Sequence, residues 1–229
     1  ATIDLNDTAA LFTIKGQVPV DLFFSIVESN GTDSDGLFYG AAVSHSTDAY
    51  NASVFTAVQK EVTGEEEVYL LGLTYGQTFG AVALKAELDY FGGDANATDD
   101  AAGLQGSIDA KMALSETMSV GGAFFYVASA DADEVLYTNV GDQQDFEYYD
   151  PLNYGPLMND SLAFAARPGT VFANQAGLMA LLVYADFQAT DALGLTAAIA
   201  YAEPEDDDLD DDKATILNLG ASYDVTDNI

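Results

Sequence analysis

The residues best placed to do chemistry sit at alternate positions in two neighbouring segments. Lys85, Glu87 and Asp89 share one side of a two-residue alternation over 80–91, and Asp109 and Lys111 share one side over 104–114. Residues two apart in an extended chain point to the same face, so each set forms a row of charge. If the connection 92–103 folds symmetrically about residue 97, Lys85 lies opposite Asp109 and Glu87 opposite Ser107. Two readings of these rows stand side by side. They line a water-filled passage and set its ion preference, or they pair with one another inside a filled interior.

A second set lies in the long segment 130–176, which holds Asp145, Glu147, Asp150 and the chain's only arginine, Arg167. Acidic groups facing one arginine would form a constriction with a transverse field. The alternative is a loop that covers a mouth, with Phe146, Tyr148, Tyr149, Tyr154, Phe164 and Phe172 packing it down. Clustered carboxylates at 203–213, among them Asp206, Asp207 and Asp208, are weak candidates for a hard cation such as Ca²⁺. Asp33 and Asp35 before Gly36 are another, but neither run has the ligand spacing of an EF-hand loop. Solvated acidic loop tips are the plainer reading of both. No other cofactor is expected. His45 is the only histidine and cysteine is absent, so no multi-histidine metal site or thiolate site can be assembled, and no Ser-His-Asp set is evident. The expectation is a protein that is not an enzyme.

Charge narrows the partners. Six Lys+Arg against 38 Asp+Glu give a net charge of −32, which excludes nucleic-acid binding, because phosphate neutralisation needs a basic surface. Apolar residues still make up 49% of the chain. No run reaches the ~18 apolar residues of a membrane-crossing helix.

The elements that must carry these residues are strands. Alternation marks 9–15, 20–28, 37–46, 52–60, 68–76, 80–91, 104–114, 118–129, 177–188, 192–202 and 214–224. Tight connections fall at 47–51, 77–79, 115–117, 189–191 and 225–228. Longer acidic ones fall at 30–36, 61–67, 92–103, 130–176 and 203–213. Short and long connections alternate, as in an up-and-down barrel with short turns at one end and loops at the other. In each clear strand one face is apolar: Val82, Leu84, Ala86, Leu88 and Tyr90, or Leu193, Leu195, Ala197, Ile199 and Tyr201. The other face is mostly Ala, Gly, Ser and Thr, whereas an exposed face in a soluble sheet favours charge. Tyr69, Tyr75, Tyr90, Tyr126, Tyr201 and Tyr223 stand near the ends of the apolar face, the positions of an interfacial girdle.

The hairpins AKMALSETMSVGGAFFY, YADFQATDALGLTAAIAY and LNLGASYDVTDNI resemble those of bacterial outer-membrane porins, and the likeness covers most of 37–229. The resemblance implies an all-β fold, an up-and-down antiparallel transmembrane β-barrel of about 11–12 strands, as one domain over 1–229. Such barrels end on an aromatic-terminated strand, and here Ile229 follows a turn, so the closing strand is expected to be missing or the strand count to be off by one. The implied function is passive diffusion of small hydrophilic solutes across a bacterial outer membrane, with cations preferred. The partners are then the lipid bilayer, the solutes, and further copies in a homo-oligomer. A second reading is a barrel that sheathes a threaded partner, either a secreted or an electron-transfer protein. A third is a soluble secreted acidic β-protein of a saline habitat, able to self-assemble.

Overall fold

The computed structural model describes residues 9–16, 18–27, 36–61, 66–131, 133–136, 177–206 and 213–224. They form twelve strands: β1 Ala9–Ile14, β2 Val20–Val27, β3 Gly36–Ser46, β4 Tyr50–Glu61, β5 Glu67–Phe79, β6 Val82–Asp94, β7 Asp100–Ala113, β8 Met118–Val127, β9 Glu134–Leu136, β10 Leu178–Gln188, β11 Leu193–Glu203 and β12 Ala214–Tyr223. All lie in one sheet. Leaving out β9, each strand pairs antiparallel with its predecessor in chain order, from β1 at one edge to β12 at the other. The short β9 lies off this path, parallel to Asp100–Ala102 of β7. The fold class is therefore an all-β up-and-down sheet. Among the described residues β1 and β12 do not pair with each other, so the sheet is not closed.

Chain-order antiparallel pairing places the strand ends flanking 62–66, 95–99, 128–177 and 204–213 at one end of the sheet, here called the loop end. Those flanking 47–49, 80–81, 114–117 and 189–192 lie at the other, the turn end. The segregation expected from the sequence is present. Side-chain hydroxyls tighten the turns. Thr47 Oγ1 accepts from the backbone N–H of Ala49 at 3.2 Å and of Tyr50 at 3.1 Å. Thr190 Oγ1 does the same for Ala192 at 3.3 Å and Leu193 at 3.0 Å, and Ser115 Oγ accepts from Thr117 at 3.2 Å. Such local bonds are why Ser and Thr favour turns over strand interiors.

Two connections differ from expectation. The turn placed at 77–79 is at Gly80–Ala81, where Gly80 adopts φ +61° and β5 continues through Phe79. The loop placed at 92–103 shrinks to 95–99, because Asn96 Oδ1 accepts from the N–H of Thr98 at 2.9 Å and of Asp99 at 3.1 Å and closes a tight hairpin. Gly92 and Gly93 belong to β6, where the Tyr69 ring lies against the side-chain position Gly92 lacks. In 130–176, the strand β9 was not anticipated.

The sheet has a covered face and an exposed face. Near the loop end, Ala123, Val127, Leu178, Ala180, Leu182, Ala200 and Ala202 form one buried cluster. Ala57, Val68, Leu70, Phe91 and Ala101 form another. The opposite face carries Leu71, Leu73, Leu88, Ile108, Leu181, Val183, Ile199, Leu217 and Leu219, all exposed. Leu217 and Leu219 are 70% and 68% accessible. Every described strand belongs to the one sheet, so no second sheet packs over these side chains.

Candidate functional site

The covered face turns polar towards the turn end, across β6, β7, β8 and β10. Register pairs Lys85 with Asp109, Glu87 with Ser107 and Asp89 with Gln105, which is the arrangement expected from a connection symmetric about residue 97. Gln105 Nε2 donates to Asp89 Oδ2 at 3.0 Å. Asp89 is 3% exposed and its Oδ1 has no hydrogen-bond partner. The carboxyl groups of Glu87 and Asp89 are in direct contact with each other.

Lys111 does not turn back to a residue of its own hairpin. Its Nζ reaches Asp186 Oδ2 on β10 at 2.7 Å, and Ser119 Oγ on the intervening β8 donates to the same oxygen at 3.2 Å. Tyr184 Oη donates to Asp109 Oδ1 at 2.8 Å, again across β8. Both bridges pass over small residues. Lys111 is in register with Gly121, which is in register with Tyr184, and Asp109 is in register with Ala123. The Tyr184 ring occupies the space that a side chain at Gly121 would fill. Lys111 Nζ stands 6.0 Å from the Tyr184 ring centroid, at the limit of a cation–π contact. A bulkier residue at Gly121 would separate β7 from β10 on this face.

All five charged residues expected on one face, Lys85, Glu87, Asp89, Asp109 and Lys111, are thus brought together. Gln105, on the same alternating face as Asp109 and Lys111, joins the belt, and Tyr184, Asp186 and Ser119, which were not foreseen, complete it. Their strand positions could have shown it, since Leu178, Ala180, Leu182, Tyr184 and Asp186 alternate along β10. The signal is masked by Leu181, Val183 and Phe187, which make the other face equally apolar. Asp145, Glu147, Asp150 and Arg167, and the acidic candidates Asp33, Asp35, Asp207 and Asp208, lie outside the described residues. Asp206 is described, and among the described residues no group of three or more His, Cys, Asp or Glu is poised to hold a metal ion.

The exposed face has its own order. From Tyr69 through Phe79 on β5, Val82 to Tyr90 on β6, Ala102 to Met112 on β7, and along the exposed rows of β8, β10 and β12, it carries no Asp, Glu, Lys or Arg. On β11 the first acid of that row is Glu203 at the loop end, beyond Tyr201. Tyrosines gather near both ends. Tyr39, Tyr69, Tyr90, Tyr126 and Tyr201 stand towards the loops, with the Tyr69 and Tyr90 rings 6.1 Å apart. Tyr50, Tyr75 and Tyr223 stand towards the turns, with Tyr50 and Tyr75 stacked at 6.2 Å. Their hydroxyls reach polar groups. Tyr201 Oη donates to Glu203 Oε2 at 2.8 Å, and Tyr126 Oη to Glu205 Oε1 at 3.2 Å. Lys60 and Glu67 form an ion pair at the loop-end rim. Beyond that rim, bonds from Ser129, together with the Tyr126 hydroxyl, hold the Glu205 carboxyl below its ordinary value of 4.5. No protein-family model matches the chain, and no curated protein matches it.

Proposed function

We propose that this chain forms a transmembrane β-barrel of a bacterial outer membrane and acts as a passive channel for small hydrophilic solutes, with cations favoured. The observation that carries the reading is the exposed face: a charge-free apolar belt between two bands of tyrosine, in a chain of net charge −32. In water, about 25 cal/mol of unfavourable free energy attaches to each Å² of such apolar surface. With charge so plentiful elsewhere, the selective exclusion of acids from this face points to a solvent of lipid tails. Strand length agrees, because crossing a bilayer takes about 9–11 residues at a tilt. The strands β5 to β8 and β10 to β12 have between 10 and 14. Tyr69 and Tyr75 bracket Leu71 and Leu73 on β5, a rise of about 20 Å at ~3.4 Å per residue. The covered face would then be the lumen wall, and the belt of Glu87, Asp89, Asp109 and Asp186 against Lys85 and Lys111 favours cations.

A second reading, a barrel that sheathes a partner protein, draws support from one observation. Leu70, Phe91 and Leu182 lie on the covered face and are almost wholly removed from solvent. A wide water-filled lumen would leave them wet. Reconstitution into a planar bilayer tests both. Stepwise conductance supports the channel. A folded, inserted chain that passes no current overturns the channel and leaves the sheath. A chain that stays folded and monodisperse without detergent overturns both, in favour of a soluble acidic protein.

A further inference from the structure

We propose that apolar side chains of the covered face form a dry collar that closes the passage near the loop end, leaving a water-filled vestibule that opens only at the turn end. The collar presupposes the channel reading and adds what limits its flow. Its residues Ala57, Leu70, Phe91, Leu182 and Ala200 are each 1–2% exposed. They come from β4, β5, β6, β10 and β11, so both buried clusters contribute. Ala57, Leu70 and Phe91 are in register, as are Leu182 and Ala200. Aromatic rings of the same wall seal them. Phe23 lies over Gly40, which is in register with Ala57, and Phe55 lies over Gly72, next but one to Leu70. The wall fills its own space, so no occupant is needed to keep it dry.

Polar residues follow at a constant distance. On the same five strands and the same face, Ser53, Thr74, Glu87, Asp186 and Thr196 each stand four residues nearer the turn end than the collar residue of their strand. Four residues rise about 13 Å at ~3.3 Å each. A common offset on both walls is what two rings around one barrel of tilted strands require. Exposure follows the same order, since Ser44, Thr78, Lys85, Gln188 and Thr196, all on the turn half of this face, are exposed. Water inside the collar would lack the polar partners it needs, and an ion would shed its hydration without replacement. Apolar constrictions of this kind gate by dewetting. The belt then sets the sign of the ions that cross, and the collar sets their rate.

The test is thiol labelling of the full chain in lipid vesicles, with a charged, membrane-impermeant methanethiosulfonate on one side. The chain has no cysteine, so each introduced one is read alone. Thr190→Cys and Asp99→Cys report which end faces the reagent. Ser53→Cys and Thr196→Cys should label from the turn end and not from the loop end. Ala57→Cys and Ala200→Cys should label more slowly from either end, by roughly tenfold or more, because only a hydrated thiolate reacts. Leu182→Ser should wet the collar, opening Ala200→Cys to the reagent and raising single-channel conductance several-fold. Should it not fold, Ala57→Ser takes its place. In an inserted chain, collar cysteines that label as fast as the belt ones would overturn the collar and leave the channel. Belt cysteines reached from the loop end, or conductance indifferent to a serine in the collar, would do the same. A chain that never inserts overturns the barrel reading itself, and the collar with it.

Discussion

Lys111 reaches past its own hairpin to Asp186, and the energy of that bridge is modest. The side chains are 42% and 29% exposed, so water screens the pair and a coupling of about 0.5–1 kcal/mol is expected. A double-mutant cycle of Lys111→Met and Asp186→Asn, read by chemical unfolding in micelles, measures it. Additive single effects would show that the bridge adds no stability. Glu205 behaves differently because it lies in the loop-end connection. Bonds from Ser129 and Tyr126 favour its ionised form, so its folded value lies below 4.5. A depressed carboxyl contributes stability that is fully present above the unfolded value and is lost as pH falls through the folded one. Stability of the loop end should therefore decline as pH drops below about 4.5, and Glu205→Gln should flatten that decline. Hydrogen exchange of the Ser129 amide, which donates to Glu205 at 3.1 Å, follows it locally. An unchanged pH profile in Glu205→Gln would show that the anchor is idle.

At the scale of the strand, what matters is which side each residue takes. Arg at Leu88, on the exposed apolar row, should cost roughly 2–4 kcal/mol if lipid is its solvent, while Arg at Ala83, on the polar half of the covered face, should cost little. Unfolding of both variants in lipid vesicles checks this, and equal costs would remove the lipid-facing assignment. The alternation behind that prediction was legible in β6, β7, β11 and β12, where small or polar residues oppose an apolar row. On the apolar rows of these strands Leu88, Ile108, Leu195, Ile199, Leu217 and Leu219 are exposed, and Leu84 is half-buried. The pairing of Lys85 with Asp109 was legible too, because a tight hairpin fixes register by its length. Three features were not. In β10, Leu181, Leu182 and Val183 are apolar on both faces, so periodicity could not say which way Asp186 points. The three residues of β9 are too few to show a period. The pair Gly92–Gly93 reads as a turn in sequence, yet both sit in β6, with the Tyr69 ring against Gly92. Small residues on this face suit the inward wall of a barrel. The structure gives Gly121 a sharper role, the gap over which β7 and β10 meet. Gly121→Val should cost about 1–3 kcal/mol by overpacking and break the Tyr184–Asp109 bond.

The proposed barrel raises two questions, how the open sheet would close and what a closed form would pass. With one strand following another antiparallel, β1 and β12 both run from the loop end to the turn end. Direct contact between them would be parallel, so an all-antiparallel barrel takes an odd number of strands between these edges. The chain has no cysteine, which makes the point testable. Cysteine at Phe12, combined in turn with cysteine at Leu217, Leu219 or Ala221, should resist disulfide formation. It should cross-link with a reagent spanning about 10 Å, two interstrand spacings, and a ready disulfide would establish direct parallel closure. In the closed form, four described carboxylates, Glu87, Asp89, Asp109 and Asp186, face two lysines, Lys85 and Lys111. If Lys111 and Asp186 neutralise each other, the remainder is still three acids to one base. A narrow aqueous passage with low-dielectric walls focuses such an imbalance, and the loop-end acids reinforce it. Reversal potentials across a KCl gradient should therefore report K⁺ passing more readily than Cl⁻. The preference should fade with salt, as the screening length shortens from ~10 Å at 0.1 M to ~3 Å at 1 M. Replacing Glu87 and Asp89 together by Gln and Asn should move the reversal potential towards zero. A preference for Cl⁻, or one indifferent to that double change, would mean that the ions do not pass along this face.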